Sequence, residues 1–218
     1  MTNNYKLLVF DWDGTLMDSQ ARIVSCFLKA IDDLDFEKRE PNQLRSMIGL
    51  SLKTAIEHLY PELSSADHDN LVIQYRQHYF SDQVLPAMPF PDVKETLQQL
   101  AEKEYWLAVA TGKGRRGLNE SMEENGLKEF FLITRCAEET SSKPDPHMLN
   151  EIMEELDVSP AQTLMIGDTE FDLEMAKNAG VASIGVSYGV HSTESLMAWQ
   201  PLACFDTIAQ LPQWLENV

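Results

Sequence analysis

Leu7-Leu8-Val9-Phe10-Asp11-Trp12-Asp13-Gly14-Thr15-Leu16 joins an unbroken apolar run to a pair of acids. Four apolar residues without alternation are what a strand buried on both faces presents. Two acids and a glycine begin where that run ends. While strand geometry lasts, Asp11 and Asp13 lie on one side and Trp12 on the other. Two carboxylates that close repel, and one is driven to hold a proton unless a cation joins them.

Four more short apolar runs look like buried strands: Leu107–Ala110, Phe131–Ile133, Leu164–Ile166 and Ala182–Val186. Helix-period segments fall between them at about 93–103, 115–125, 147–156 and 171–179. Three close on turn signals, at Asn125-Gly126, at Asp157 before Pro160, and at Asn178-Ala179-Gly180. Strand and helix alternating in this way predict an α/β fold, a parallel Rossmann-like sheet covered by helices on both sides. One stretch breaks the rhythm. Between Phe10 and Leu107 only helical patterns occur, near 18–34, 42–59 and 66–82. The expected organisation is therefore a core of residues 1–16 and 84–218 carrying an inserted helical cap, 17–83. Pro86, Pro89 and Pro91 mark the return to the core.

The balance of 17 basic against 35 acidic residues gives a net charge of -18, which a nucleic-acid backbone or an anionic membrane surface would repel. No apolar run approaches the roughly 18 residues of a membrane span. An anionic substrate would need locally concentrated positive charge. Cys26, Cys136 and Cys204 lack paired spacing and read as free thiols, and no basic segment with an apolar run opens the chain, so the cytoplasm is the expected compartment.

Polar features follow four of the five expected strands: Asp11 to Thr15, then Thr111-Gly112-Lys113, then Lys143-Pro144, then Gly167-Asp168 with Asp172. Ligands of open α/β sheets bind outside the carboxyl ends of the strands, so these features converge on one crevice. Each acid could instead cap the helix that follows it. A cluster of acids without histidine suits a hard cation, and Mg²⁺ takes one or two carboxylates, waters and a phosphate. Thr111 with the amides of Gly112 and Lys113 could hold phosphate oxygens, and Lys143 stands at a helix start that already favours anions.

Asp11-Trp12-Asp13-Gly14-Thr15-Leu16, Thr111, Lys143-Pro144 and Gly167-Asp168-x-x-x-Asp172 together resemble the four motifs of the haloacid dehalogenase superfamily, in order, and its phosphoglycolate phosphatase-like members with a helical cap. The resemblance implies a Mg²⁺-dependent phosphomonoester hydrolase that works through an aspartyl-phosphate. It makes Asp11 the nucleophile and Asp13 the acid and base. Asp11, the Asp13 carbonyl and Asp168 hold the metal, with Asp172 orienting that shell. Thr111 and Lys143 fix the phosphoryl oxygens. The partner is a small phosphorylated metabolite: phosphoglycolate, pyrophosphate, a nucleotide or a sugar phosphate. A phosphosugar mutase of the same superfamily is the rival, although Thr15 favours hydrolysis. Asp92 stands where the family commonly has glycine, and Gly112 where it commonly has asparagine or serine. The loop from Arg45 to Lys53, with Gly49 and Ser51, is expected to face the site and read the leaving group.

Two other motifs compete. Gly112-Lys113-Gly114-Arg115-Arg116-Gly117 fits a dinucleotide fingerprint, but Arg135 stands where the acidic partner belongs. Gly185-Val186-Ser187-Tyr188-Gly189 fits a nucleophile elbow, yet no histidine follows Asp206 to complete a triad. Ser187 therefore reads as a loop residue. His58, His68, His78 and His147 form no ligand spacing.

Overall fold

A computed structural model describes residues 5–218, so the first four residues of the expected core lie outside it. In chain order the elements are β1 (Leu7–Phe10), β2 (Met17–Asp18), α1 (Gln20–Asp33), α2 (Pro41–Arg45), α3 (Leu52–Leu59), α4 (Ser65–Tyr79) and β3 (Met88–Pro89). There follow α5 (Val93–Glu102), β4 (Trp106–Thr111), α6 (Arg115–Glu124), β5 (Ile133–Cys136), α7 (His147–Leu156), β6 (Thr163–Gly167) and α8 (Glu170–Asn178). The chain closes with β7 (Ala182–Val186), α9 (Thr193–Ala198), β8 (Ala203–Phe205) and α10 (Leu211–Leu215).

Six strands form one parallel sheet in the order β5-β4-β1-β6-β7-β8. The first strand explains the architecture. Leu8 and Phe10 join the cluster that packs against α5, α6 and α10, while Leu7 and Val9 join the opposite cluster against α7 and α8. A strand clothed on both faces must be apolar throughout, which is why β1 shows no alternation. It sits in the middle of the sheet, and the strand order reverses across it. Such a switch point opens a crevice at the carboxyl ends.

The insert forms its own apolar cluster, with Phe27, Ile31, Leu44, Ile56, Leu71 and Tyr75 among its members. The expected helix over 42–59 is two helices. Gly49 takes φ +106 between them, and Ser51 then caps α3 by accepting from the Thr54 amide at 3.1 Å. The chain enters and leaves the insert side by side, because β2 and β3 pair antiparallel, Met17 opposite Pro89.

Three further differences from expectation have physical causes. The run Phe131–Ile133 is mostly not strand: Leu132 is exposed, and Phe131 leaves the sheet to pack edge-on against Trp12. The strand proper is Ile133–Cys136, an edge strand with half-exposed Thr134 and Arg135 at its centre, so it lacks an apolar run. β8 and the β2–β3 pair are too short to register as a pattern. Asp92 takes φ +65, the left-handed region where glycine costs nothing, so this chain carries local strain where the family commonly has glycine.

Among the described residues no helix is long and apolar enough to cross a membrane. The three cysteines are unpaired, with Cys26 and Cys136 buried and Cys204 partly exposed. Burial pushes the Cys136 thiol up to about 12, far from thiolate formation. Iodoacetamide at pH 8 is expected to alkylate Cys204 first and to leave Cys26 and Cys136 intact until the protein unfolds. Peptide mapping by mass spectrometry checks the order.

Candidate active site

β1, β4 and β6 are neighbours, so the residues that follow them meet although they are far apart in sequence. Asp11 begins the loop after β1, and its amide still donates to Ile166 O at 2.9 Å, which holds it at strand level. One carboxylate oxygen of Asp11 accepts from Lys143 Nζ at 2.6 Å. The other, Oδ2, is buried and has no hydrogen-bond partner. Lys143 Nζ also donates to Asp172 Oδ1 at 2.6 Å, and the whole side chain is buried. Asp172 spends its second oxygen on the amide and hydroxyl of Thr169 at 3.0 and 2.7 Å, inside the capping box that starts α8.

Asp168 is held differently. Oδ1 accepts from the Thr15 hydroxyl at 2.7 Å and Oδ2 from the Val190 amide at 2.8 Å. Tyr188 braces this corner by donating to Thr15 O at 2.8 Å. Backbone presses close around it. A Cβ on Gly14 or on Gly189 would stand 2.2 Å from an Asp168 atom, and Gly14 also takes φ +94. Oxygens of Asp11, Asp168 and Asp172 lie within 4.8 Å of one another.

The loops after β1 and β4 meet at Asp13. Its carboxylate accepts from Ser19 Oγ at 2.7 Å and from Lys113 Nζ at 2.9 and 3.1 Å. Thr111 ends β4, and its hydroxyl accepts from the Lys113 amide. The insert closes over this group. Gly112 lies against the carbonyls of Gly49 and Leu50, so close that a Cβ would stand 2.3 Å from Leu50 O. The Ser51 amide donates to Ser142 Oγ at 2.9 Å. A cavity of about 1060 Å³ results, bounded by Asp11, Asp13, Thr111 and Lys113 on the core side.

With that geometry in view, the sequence profile described as haloacid dehalogenase-like hydrolase matches residues 8–186. The chain belongs to the haloacid dehalogenase-like hydrolases. A Dickeya dadantii protein named "Probable phosphatase IndB" is 37% identical over 209 residues, covering 94% of this chain and 91% of its own. A phosphoglycolate phosphatase of Vibrio vulnificus is 32% identical over 219 residues, covering 94% of each. The solved structure of a haloacid dehalogenase-like family protein of Streptococcus pneumoniae has the same fold, with a TM-score of 0.86 at 22% identity over 98% of this chain and 99% of that one.

In this haloacid dehalogenase-like hydrolase, Asp11, Asp13, Thr111, Gly112, Gly49, Ser51 and Lys53 all border the cavity, and Lys143, Asp168 and Asp172 stand directly beneath Asp11. Arg45 does not join them. It ends α2 facing the other way, donates to Gly189 O at 3.2 Å and lines a separate cleft of about 390 Å³. Lys113 is the residue that motif reading misses, because it sits inside the glycine-rich decoy. The usable signal is its place two residues beyond the strand-end Thr111, within a lysine's reach of the next strand's acids. Within that decoy, Gly112 faces the carbonyls of Gly49 and Leu50. Ser187 donates to Asp206 Oδ1 at 2.6 Å at a strand end with no helix directly after it, as a loop residue does.

Charge tests whether a cation fits. Asp11, Asp13, Asp168 and Asp172 are buried with only the ammoniums of Lys143 and Lys113 between them. Two negative charges are left without compensation. Burial pulls the Lys143 ammonium down, but the charges of Asp11 and Asp172 outweigh it and hold Lys143 protonated. Burial raises Asp11 well above the usual carboxylate range, and burial with the neighbouring Asp172 pushes Asp168 up to about 7. A divalent cation at the orphaned Asp11 Oδ2 would answer the deficit.

Because Asp168 binds a proton more readily folded than unfolded, its contribution favours the folded state at low pH and is lost as pH rises from about 4 through 7. The melting temperature of chelator-treated protein is expected to fall over that window, and a divalent cation to offset the fall. Gly14→Ala is expected to cost about 1–3 kcal/mol through the positive φ alone and to weaken cation binding by displacing Asp168. Denaturant titration and calorimetry read the two effects separately.

Proposed function

We propose that this protein is a Mg²⁺-dependent phosphatase of small organic phosphomonoesters. The observation that carries the reading is the Asp11 carboxylate. One oxygen is steered by Lys143 and the other is buried yet unpartnered beside two more carboxylates. A nucleophile waiting for a cation and a phosphate has that environment. The names of the Dickeya and Vibrio relatives, a phosphatase and a phosphoglycolate phosphatase, support it.

Each residue then has work suited to its surroundings. Asp11 attacks phosphorus in line, and the bond to the leaving oxygen breaks as the aspartyl-phosphate forms. Asp13 gives that oxygen a proton, then takes one from the water that releases phosphate. Lys143 and Thr111 hold the phosphoryl oxygens through the charge-rich transition state. Asp11, the Asp13 carbonyl and Asp168 would hold Mg²⁺, which supplies charge neutralisation between nucleophile and phosphate. Asp172 positions Lys143. Residues 17–83 act as the cap that excludes bulk water, and Gly49, Ser51, Lys53 and Gly112 border the leaving group. Three unpaired thiols support a reducing, cytoplasmic setting.

Asp11→Asn is expected to lower phosphate release by about a thousandfold or more while Mg²⁺ and phosphate still bind by calorimetry. More than trace activity in that variant would overturn the nucleophile assignment. Chelation should abolish release from the unmodified protein and Mg²⁺ should restore it. Lys53→Ala is expected to reorder the substrates; an unchanged ranking would remove Lys53 from the leaving-group site.

A further inference from the structure

Asp168 is gripped from one short loop, and that loop is held in turn by the insert. The Val190 amide donates to Asp168 Oδ2 at 2.8 Å. The other oxygen, Oδ1, accepts from the Thr15 hydroxyl at 2.7 Å, and Tyr188 fixes Thr15 by donating to its carbonyl at 2.8 Å. Residues 188–190 therefore place both oxygens of the carboxylate, one directly and one through Thr15. Gly189 permits the close approach, because a Cβ there would stand 2.2 Å from Asp168 Cβ and 2.3 Å from Oδ2.

The N–H that reaches Asp168 is one end of the peptide group joining Gly189 to Val190. Among the described residues only Lys143-Pro144 is cis, so this peptide is trans and planar, with its carbonyl directed away from its N–H. That carbonyl is Gly189 O, and it accepts from Arg45 Nη2 at 3.2 Å across the boundary between insert and core. One rigid peptide thus carries a guanidinium of the insert on one side and a carboxylate of the site on the other. Arg45 makes no ion pair among the described residues, so no carboxylate draws it away from that carbonyl. The next residue of the loop is tied down as well, since the His191 ring meets Ser46 O at 3.3 Å. A carbonyl that accepts from a cation is polarised, and its own N–H donates more strongly.

We infer that Arg45 is a positioning residue for Asp168: through the Gly189–Val190 peptide, the insert sets that carboxylate in place to hold the cation. This role presupposes the cation site of the phosphatase reading and gives it a control point outside the cavity. Groups that orient a metal ligand commonly change metal affinity by roughly 10–100-fold when removed, and Arg45 stands one group farther out, so its effect is smaller. The coupling is reciprocal: the placement of the insert in which Arg45 reaches Gly189 is the one a bound cation favours. Coulomb's law alone gives the opposite sign. Removing a positive charge would tighten a nearby cation site, whereas removing a positioning group loosens it.

The test measures Mg²⁺ binding by calorimetry, without substrate, in the unmodified full chain, in Arg45→Met and in Lys38→Met. Lys38 pairs with Asp32 on the exposed surface of the insert, so its substitution removes the same charge without touching the loop. Arg45 is itself exposed, and Arg45→Met is expected to fold, which thermal melting checks. Expected is a Kd about threefold or more weaker in Arg45→Met, with Lys38→Met unchanged or tighter. Amide exchange followed by NMR without Mg²⁺ is expected to quicken about threefold or more at Val190 in Arg45→Met, while the amides of β7 keep their rates; a general loosening of the fold would quicken both. A Kd equal to or tighter than that of the unmodified protein, or an unchanged Val190 rate, would overturn the role of Arg45 and leave the cation site standing. An equal loss of affinity in Lys38→Met would also overturn it. Absence of Mg²⁺ binding by the unmodified protein would overturn the cation site, and the role of Arg45 with it.

Discussion

Four carboxylates are buried at the end of one sheet with two ammoniums to answer them, and the rest of the molecule is arranged around that imbalance. Buried charge is tolerated only when it is paired and hydrogen-bonded. Each acid accordingly has its own donors: Lys143 for Asp11, Ser19 and Lys113 for Asp13, Thr15 and Val190 for Asp168, Thr169 for Asp172. Those donors come from segments that follow five strands of the sheet, β1, β4, β5, β6 and β7. They can meet only because β1 lies between β4 and β6. Glycine at 14 and 189 follows from the same crowding, since backbone must approach Asp168 where a methyl group would not fit. What the donors leave unmet, at Asp11 Oδ2, is the place where chemistry can enter.

The insert is tied to this cluster at more than one point. Lys113, whose ammonium holds Asp13, also lies 4.7 Å from the centroid of Tyr79 on α4. Arg22 of α1 reaches the same tyrosine, donating to its carbonyl at 3.0 Å. On the opposite flank, Arg45 donates to Gly189 O, and the His191 ring meets Ser46 O at 3.3 Å. The same short loop, Tyr188 to His191, therefore braces Thr15, donates to Asp168 and contacts the insert. A shift of the helices is felt at the acids through both flanks.

Much of this was legible because the strongest signals are local. The apolar run of β1 and the acids directly after it need no partner to be recognised, and the glycine before Asp168 ends a strand just as plainly. The helices of the core announce themselves by period and by their stops. What escaped depends on distance or brevity. β5 reads poorly because an edge strand need bury only part of itself; Arg135 at its centre pairs with Glu151 and Glu155 on α7 instead of entering a core. Arg45 looked like a site residue because it flanks the Gly49 turn, but a helix end fixes its direction, and that direction is a tertiary fact. Lys113 lies inside a glycine-rich motif that suggests a different chemistry. Its role at Asp13 follows from two strands lying side by side, which spacing along one strand does not encode.

The β2–β3 pair carries a consequence for how such a molecule can vary. Because Met17 and Pro89 face each other, the chain leaves the sheet and returns to it at a single point, and the core is continuous across that stem. The intervening helices are topologically a branch. Their number, length or wall residues can change without shifting the register of any strand in the sheet, since closing a longer excursion adds entropy only logarithmically. The acids and the helices that wall the cavity above them thus lie on separate stretches of one polypeptide, joined along the chain at the two residue pairs of that stem.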